Sequence, residues 1–180
     1  MDHKKVFREH NKTPFLKAAD GTKYIELVHS GEDYFVRLKE IINKAEKEIH
    51  LQTYIFENDD TGNLIANCLI EAALRKVNVY ILLDAYGSAA LPDSFVQDLL
   101  DHGIQLRFFS PLFSLNNFYI GRRMHHKVVV ADGSTALVGG INIGDKYHGL
   151  IMQYNYIVLL QKIYKNCVAI IFSKREVQEK

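Results

Sequence analysis

A nearly continuous apolar run at residues 77–83 constrains the fold of this chain more than any other segment. Such a run is typical of a strand that is covered on both faces, because a strand with one face in water alternates apolar and polar residues. Apolar residues at helical spacing precede the run over residues 63–75 and follow it over residues 92–102. This order of helix, buried strand and helix predicts helices that pack on a β-sheet.

The same alternation of strands and helices continues on both sides of that region. Ser30 and the acidic residues after it open a helix that we expect to end near residue 47. Further strands are predicted at 24–29, 48–56, 105–109 and 155–160, and a last helix is predicted at 164–172. We therefore expect an α/β fold in which a mixed β-sheet is flanked by helices on both faces. Residues 1–20 are predicted to be a flexible lead-in to a single domain at 21–180.

The composition is that of one globular domain, with 180 residues of which 48% are hydrophobic and 24% are charged. A formal net charge of +1 gives no overall attraction to nucleic acid. No apolar run is long enough to cross a bilayer, so any membrane contact should be peripheral. Cys68 and Cys167 lie in apolar, helix-like segments, which favours reduced core thiols and a cytoplasmic setting.

The residues best suited to catalysis are concentrated between positions 125 and 145. His125 and Lys127 are two residues apart in a β-branched run, so their side chains should share one face of a strand. Asp132 and Gly133 form a tight-turn pair, after which residues 135–140 should return as a second strand. The segment therefore predicts a β-hairpin that carries a histidine and a lysine.

The register of this hairpin decides which side chains meet. A two-residue turn would produce three facing pairs: His125 with Gly140, Lys127 with Val138, and Arg123 with Asn142. Facing residues share a side of the sheet, so the histidine, the lysine and the asparagine would project together. A three-residue turn would change this register.

A histidine, a lysine and an amide on one surface suit chemistry at phosphorus. Neutral imidazole can attack the phosphorus atom, while an ammonium group and an amide hold the phosphoryl oxygens. The chain resembles the signature of the phospholipase D superfamily through the two phrases His125-x-Lys127-x4-Asp132 and Gly139-Gly140-x-Asn142. Within that superfamily, residues 122–145, and more broadly residues 24–172, are similar to the first half of bacterial cardiolipin synthases.

The resemblance implies a phospholipase D-like half-domain that works without a cofactor or a metal. His125 would be the nucleophile that forms a phosphohistidine with the phosphatidyl group, and Lys127 and Asn142 would bind phosphate. Asp132 completes the catalytic set, but strand parity places it on the turn, off the face of the other two. A supporting role, such as organising the hairpin, is therefore predicted for it. The candidate residues that line the pocket are Arg123, Gly140 and Asp145, together with Asp84, Tyr86, Gly87 and Ser88 after the strand at 77–83.

The family uses a second histidine, from a second copy of the motif, to protonate the leaving alcohol. This chain contains one copy, so a complete site would need a homodimer or a partner chain; otherwise the chain would be an inactive half-domain fragment. We expect a phosphatidyltransferase of the cardiolipin synthase type that acts on phosphatidylglycerol or a similar phospholipid. It would lie in the cytoplasm at the inner membrane, where the aromatic loop at 110–121 would either contact lipid headgroups or cap the core.

Several alternatives remain open. A dimeric phosphodiesterase or endonuclease of the same superfamily would cut nucleic acid, and a non-catalytic half-domain would only bind lipid. A metal site would have to combine four residues, namely His125, His126, Asp145 and His148. Adjacent histidines on a strand point to opposite faces, which disfavours that site and suggests a packing role for His126. Ser88 lacks the Gly-x-Ser-x-Gly context of a serine nucleophile.

Overall fold

The computed structural model describes residues 16–17, 24–110, 123–149 and 157–161, and it describes the side chains of residues 28–110 and 123–149. The helices in these ranges are α1 (Gly31–Lys44), α2 (Asp60–Leu74) and α3 (Asp93–Asp101), with a short 3-10 helix at Asp145–Tyr147. The strands are β1 (Leu16–Lys17), β2 (Tyr24–Val28), β3 (Glu48–Thr53), β4 (Asn78–Asp84), β5 (Gln105–Phe109), β6 (Val128–Ala131), β7 (Thr135–Val138) and β8 (Ile157–Gln161).

These strands form one sheet in the order β1-β2-β8-β7-β6-β3-β4-β5. Strands β3, β4 and β5 run parallel to one another, because α2 and α3 return the chain to the same end of the sheet between them. The other neighbours, including β3 with β6, pair antiparallel. The start of β6 therefore lies beside the carboxyl ends of β3 and β4. The mixed sheet and its helices confirm the predicted α/β fold.

The three described helices share one hydrophobic core with the sheet. Each helix contributes fully or almost fully buried leucines, for example Leu38, Leu69 and Leu99. Burial of each such side chain stabilises the fold by about 1.5–3 kcal/mol, so this layer makes the sheet a rigid support for whatever lies at its edge. The opposite face of β6 and β7 carries a second buried cluster of Val128, Val130 and Ala136. The helix predicted at 164–172 lies outside the described residues.

Two element boundaries differ from their predicted positions in ways that affect the edge of the sheet. Helix α2 begins at Asp60 because the carboxylate of Asp59, whose backbone is extended, accepts a hydrogen bond from the Gly62 N–H at 2.8 Å. Strand β3 ends at Thr53, so residues 54–56 form a loop at its carboxyl end and not the last part of a strand.

The β6–β7 hairpin has a three-residue turn, so the predicted two-residue register is wrong. Ala131 pairs with Thr135, and three residues lie between them. Asp132 and Gly133 have φ angles of 54° and 61°, the left-handed conformation that glycine adopts freely and aspartate tolerates. The turn therefore takes one more residue than the Asp-Gly pair alone suggests.

The hairpin strand also starts later than predicted, at Val128. Val138 pairs with Val128 and not with Lys127, while the Lys127 carbonyl accepts a hydrogen bond from the Gly139 N–H at 3.0 Å. The three predicted facing pairs therefore do not form. His125 and Lys127 lie on the extended segment that leads into the strand.

The ends of the chain are described only in part. Leu16 and Lys17, in the predicted lead-in, pair with β2 at the edge of the sheet, and the rest of residues 1–20 lies outside the described residues. Cys68 is buried and free, whereas Cys167 lies outside the described part. Among the helices that the structure describes, none combines the length and the apolar character that a membrane span requires.

Candidate active site

His125 lies at the edge of the sheet, three residues before β6, and its side chain is exposed. Its imidazole ring contacts the ring of Tyr54, with 4.9 Å between the ring centroids and 47° between the planes. Tyr54 is the first residue after β3, and β3 and β6 are adjacent, which explains why the two rings meet. The exposed imidazole is thus open to a substrate on one side and supported by an aromatic ring on the other.

Lys127 contrasts with His125, because its side chain is only 3% exposed. The Nζ atom donates a hydrogen bond to the His125 carbonyl at 3.0 Å and lies 5.3 Å from the centroid of the Tyr54 ring. Burial lowers the pKa of the Lys127 ammonium, since removal from water disfavours the charged form. Within the described part of the chain, no carboxylate lies at ion-pair distance from Nζ. The ammonium is therefore free to pair with an anionic ligand.

Asn142 reaches the same loop from the other side of the hairpin. Its side chain is largely buried, and its Oδ1 accepts a hydrogen bond from the Ile55 N–H at 3.1 Å. The backbone of the next residue, Ile143, donates to the Ile55 carbonyl at 3.1 Å and accepts from the Glu57 N–H at 3.0 Å. Asn142 thus bonds to the residue that follows Tyr54, and the Tyr54 ring contacts both His125 and Lys127. The three residues are related through the Tyr54–Ile55 loop and not through the predicted cross-strand pairs.

Asp84, the last residue of β4, holds the segment that carries His125 in place. Its carboxylate is fully buried and accepts hydrogen bonds from the Met124 N–H at 2.8 Å and from the Tyr86 and Gly87 N–H groups at 3.0 Å. Met124 directly precedes His125, so this buried anion fixes the backbone next to the imidazole. Sequence reasoning identified Asp84 as a pocket residue, whereas its contacts are those of a backbone anchor.

Two candidate pocket residues flank this cluster. The Arg123 guanidinium lies 4.9 Å from the centroid of the Tyr86 ring and donates a long hydrogen bond to the Ser110 carbonyl at 3.5 Å. The Tyr86 side chain is 58% exposed, so this cation and ring stand at the surface near His125. Gly140 is exposed in the segment between β7 and Asn142. Arg123 and Gly140 therefore lie at the same end of the sheet as His125.

Asp132 is not brought to His125 and Lys127. It lies seven positions after His125 along a largely extended segment, which corresponds to about 20 Å. Its carboxylate accepts hydrogen bonds from the backbone N–H groups of Glu46, Lys47 and Glu48 at 3.0, 2.8 and 3.0 Å. Partial burial acts to raise the pKa of Asp132, but these three donors outweigh it and hold the pKa below its usual range. The carboxylate fastens the hairpin turn to the start of β3.

Asp145 likewise binds backbone. Its carboxylate accepts hydrogen bonds from the Thr61 N–H at 2.7 Å and the Asp60 N–H at 3.4 Å, and its own N–H donates to Asp59. Hydrogen bonds from the Thr61 side chain and from these backbone amides hold the pKa of Asp145 below its usual range. The side chain therefore caps the N-terminus of α2.

The other two histidines of the candidate metal site do not join His125 in a metal-binding group. His148 stacks on Phe35 with 5.4 Å between ring centroids, and His126 is exposed, which gives no support to the packing role predicted for it. Among the described residues there is no group of three or more histidine, cysteine, aspartate or glutamate side chains with the geometry to hold a metal ion. The Ser88 hydroxyl lies between the Tyr54 carbonyl and the Phe56 N–H and is fully engaged in support of the loop.

Sequence reasoning missed Tyr54, although its ring contacts both His125 and Lys127. The available signal was its position directly after the carboxyl end of a strand, where sites in sheets with parallel strands commonly form. The prediction of a longer strand over 48–56 hid that signal, because it placed Tyr54 inside the sheet.

Comparison with known proteins agrees with the motif. Residues 38–173 match the family of the cardiolipin synthase, PLD-like domain, where PLD stands for phospholipase D. The chain belongs to this family. It is 37% identical to the major cardiolipin synthase ClsA of Bacillus subtilis over 133 residues, which cover 73% of this chain and 28% of that protein. It is 36% identical to cardiolipin synthase B of Escherichia coli over 148 residues, which cover 79% of this chain and 35% of that protein.

The domain also has a close structural counterpart. The crystal structure of Nuc, a phospholipase D family member from Salmonella typhimurium, superimposes with a TM-score of 0.60 and 19% identity, over 83% of this chain and 89% of that one. This likeness establishes the fold. The chain spans about a third or less of the length of the cardiolipin synthases, as their matched shares of 28% and 35% indicate. The predicted resemblance to the phospholipase D superfamily and to cardiolipin synthases is confirmed.

Proposed function

We propose that this domain transfers phosphatidyl groups through a phosphohistidine formed on His125. The observation that carries the proposal is that an exposed imidazole and a buried ammonium both contact one aromatic ring. Phosphodiesters are anionic, and Lys127 offers a desolvated cation that no described carboxylate neutralises. Membership in the cardiolipin synthase, PLD-like domain family supports phosphatidylglycerol, or a similar phospholipid, as the donor.

In the first step, a nitrogen lone pair of neutral His125 attacks the phosphorus of the donor. The bond between phosphorus and the headgroup oxygen breaks, and glycerol leaves with a proton taken from a general acid. Lys127 and the Asn142 amide hold the non-bridging oxygens while negative charge accumulates on them. In the second step, a hydroxyl group of another phospholipid attacks the phosphorus of the phosphohistidine. It gives up its proton to the same residue, which now acts as a general base, and the bond between phosphorus and His125 breaks.

The general acid of this scheme is a second motif histidine. We propose that it comes from another copy of this chain or from a partner that carries a second motif. The cardiolipin synthases that the chain matches are about three times as long or longer, as the matched shares of 28% and 35% imply, so the relatives have room for a second half. The phospholipid substrate also implies peripheral contact with the inner membrane from the cytoplasm. The aromatic loop at 110–121, predicted to contact headgroups, lies outside the described residues except for Ser110.

The proposal is tested by incubating the purified protein with vesicles that contain phosphatidylglycerol radiolabelled in its phosphate. Acid-labile, base-stable label on the protein is expected, because a phosphorus–nitrogen bond breaks in acid. His125→Ala should abolish the label, whereas His126→Ala, which removes an exposed neighbouring imidazole, should leave it unchanged. Label that survives His125→Ala, or that maps to another residue, would overturn the proposal.

The products identify the acceptor. Cardiolipin is expected when a second phosphatidylglycerol supplies the attacking hydroxyl, and phosphatidic acid is expected when water does. Light scattering on the same sample measures the oligomer. A monomer that turns over repeatedly would contradict a second histidine supplied by another copy.

A further inference from the structure

The ring of Tyr54 contacts both groups that the proposed reaction needs. The His125 imidazole is 4.9 Å from the ring centroid, and the Lys127 Nζ is 5.3 Å from it. The hydrogen bond from Nζ to the His125 carbonyl closes this three-residue cluster at 3.0 Å. One side chain from the end of β3 therefore contacts both functional side chains of the segment before β6.

The position of Tyr54 is itself fixed by the turn that follows β4. The Ser88 hydroxyl donates to the Tyr54 carbonyl at 3.2 Å and accepts from the Phe56 N–H at 3.1 Å. Gly87 packs so closely that a Cβ atom there would lie 2.2 Å from the Tyr54 carbonyl oxygen and 2.9 Å from its ring carbons. A side chain at residue 87 would thus displace the loop. These contacts give residues 87 and 88 a structural purpose in support of the tyrosine.

We propose that Tyr54 is a positioning residue, whose ring sets the orientation of the His125 imidazole and keeps the Lys127 ammonium beside it. The inference rests on the proposed function, because it concerns the geometry of attack by His125. An exposed imidazole attacks efficiently only if it is held near the productive orientation, and the rotation of an unsupported histidine would lose much of that benefit. The electron-rich ring face also favours the charged form of the buried Lys127 ammonium.

The hydroxyl group of Tyr54 is not needed for this role, so Tyr54→Phe and Tyr54→Leu separate the ring from the hydroxyl. Tyr54→Leu should lower the single-turnover rate constant for His125 labelling about tenfold, which is the size expected for loss of one aromatic and one cation–π contact. The apparent affinity for phosphatidylglycerol vesicles should change little. Tyr54→Phe should stay within about twofold of the wild-type rate constant.

A matched control lies elsewhere in the same sheet. Tyr80 on β4 stacks on His50 with 4.7 Å between ring centroids, so Tyr80→Leu removes a comparable tyrosine–histidine contact away from His125. It should leave the labelling rate constant unchanged. Equal losses in Tyr80→Leu and Tyr54→Leu would overturn the inference, as would a wild-type rate in Tyr54→Leu or a loss in Tyr54→Phe as large as in Tyr54→Leu.

Nuclear magnetic resonance of the lipid-free protein gives a readout that does not depend on activity. The Tyr54 ring should shift the imidazole proton signals of His125, and this ring-current shift should persist in Tyr54→Phe and disappear in Tyr54→Leu. Absence of the shift in the wild type would overturn the positioning role directly. If the shift is present but the wild type acquires no label on His125, the proposed function is overturned. Tyr54 would then orient the His125 imidazole without a role in this reaction.

Discussion

The aspartate of the motif should act through the fold and not through the reaction. Its carboxylate accepts three backbone hydrogen bonds, from Glu46, Lys47 and Glu48, at the far end of β6 from His125. A hydrogen bond to a charged group contributes about 1.5–3 kcal/mol to stability in favourable cases, and partial exposure of these three reduces each of them. We therefore expect Asp132→Ala to lower the free energy of unfolding by about 3 kcal/mol.

Three substitutions separate the hydrogen bonds from the backbone. The φ angle of 54° at Asp132 costs alanine about 1 kcal/mol more than glycine, so Asp132→Gly should be less destabilised than Asp132→Ala by that amount. Asp132→Asn keeps one acceptor oxygen and tolerates the conformation, and it should lose about 1–2 kcal/mol. Urea unfolding followed by circular dichroism measures all three.

The pH dependence of stability gives the sign of the effect. The pKa of Asp132 is below its ordinary value of 3.8 in the folded protein, so its contribution is complete above that value and is lost as the pH falls through the folded pKa. The stability difference between wild type and Asp132→Asn should thus be largest near neutrality and shrink below about pH 4. At a temperature where both are folded, both should label His125 at similar rates. Loss of labelling in Asp132→Asn with unchanged stability would refute this reasoning.

Further results are expected for two substitutions and for DNA binding. Lys127→Met should reduce His125 labelling about a hundredfold but leave the protein at least as stable at pH 7 by urea unfolding, because the lost ammonium is desolvated. The pKa of Lys127 in the folded protein is below its ordinary value of 10.5. Between those two pKa values the unfolded chain binds a proton that the folded protein has lost, so the free energy of unfolding of the wild type should rise with pH. This rise should be absent in Lys127→Met. Asp84→Asn should cost about 2 kcal/mol in thermal unfolding and also slow labelling of the folded protein, because one of the two acceptor oxygens becomes an NH2 group that cannot accept from the backbone N–H groups of Met124 or of Tyr86 and Gly87. With a net charge of +1, the protein should show no salt-dependent DNA binding by fluorescence anisotropy near physiological salt; tight binding with a steep salt slope would favour the nuclease alternative.

The sequence predicts the layers of the fold well, because helix and strand spacing are local properties. Strand β5 agrees with its predicted limits, and α1 and α3 differ from theirs by only a few residues. The errors occur where a partner distant in sequence decides the boundary. Asp59 and Asp145 both bind the first turn of α2, and this double capping lets the helix begin before its first apolar residue. Apolar periodicity contains no information about such a cap.

The candidate site shows the same division between local and distant information. The spacing of His125 and Lys127 predicts that their side chains share one side of an extended segment, and both contact the ring of Tyr54. The contacts that assemble the site join Asn142 to Ile55, 87 residues apart, and Met124 to Asp84, 40 residues apart. Each of these contacts crosses from the hairpin to the carboxyl end of a parallel strand, where no pairing rule for a hairpin applies. A motif therefore points to the candidate residues, whereas the strand ends that surround it determine how they are held.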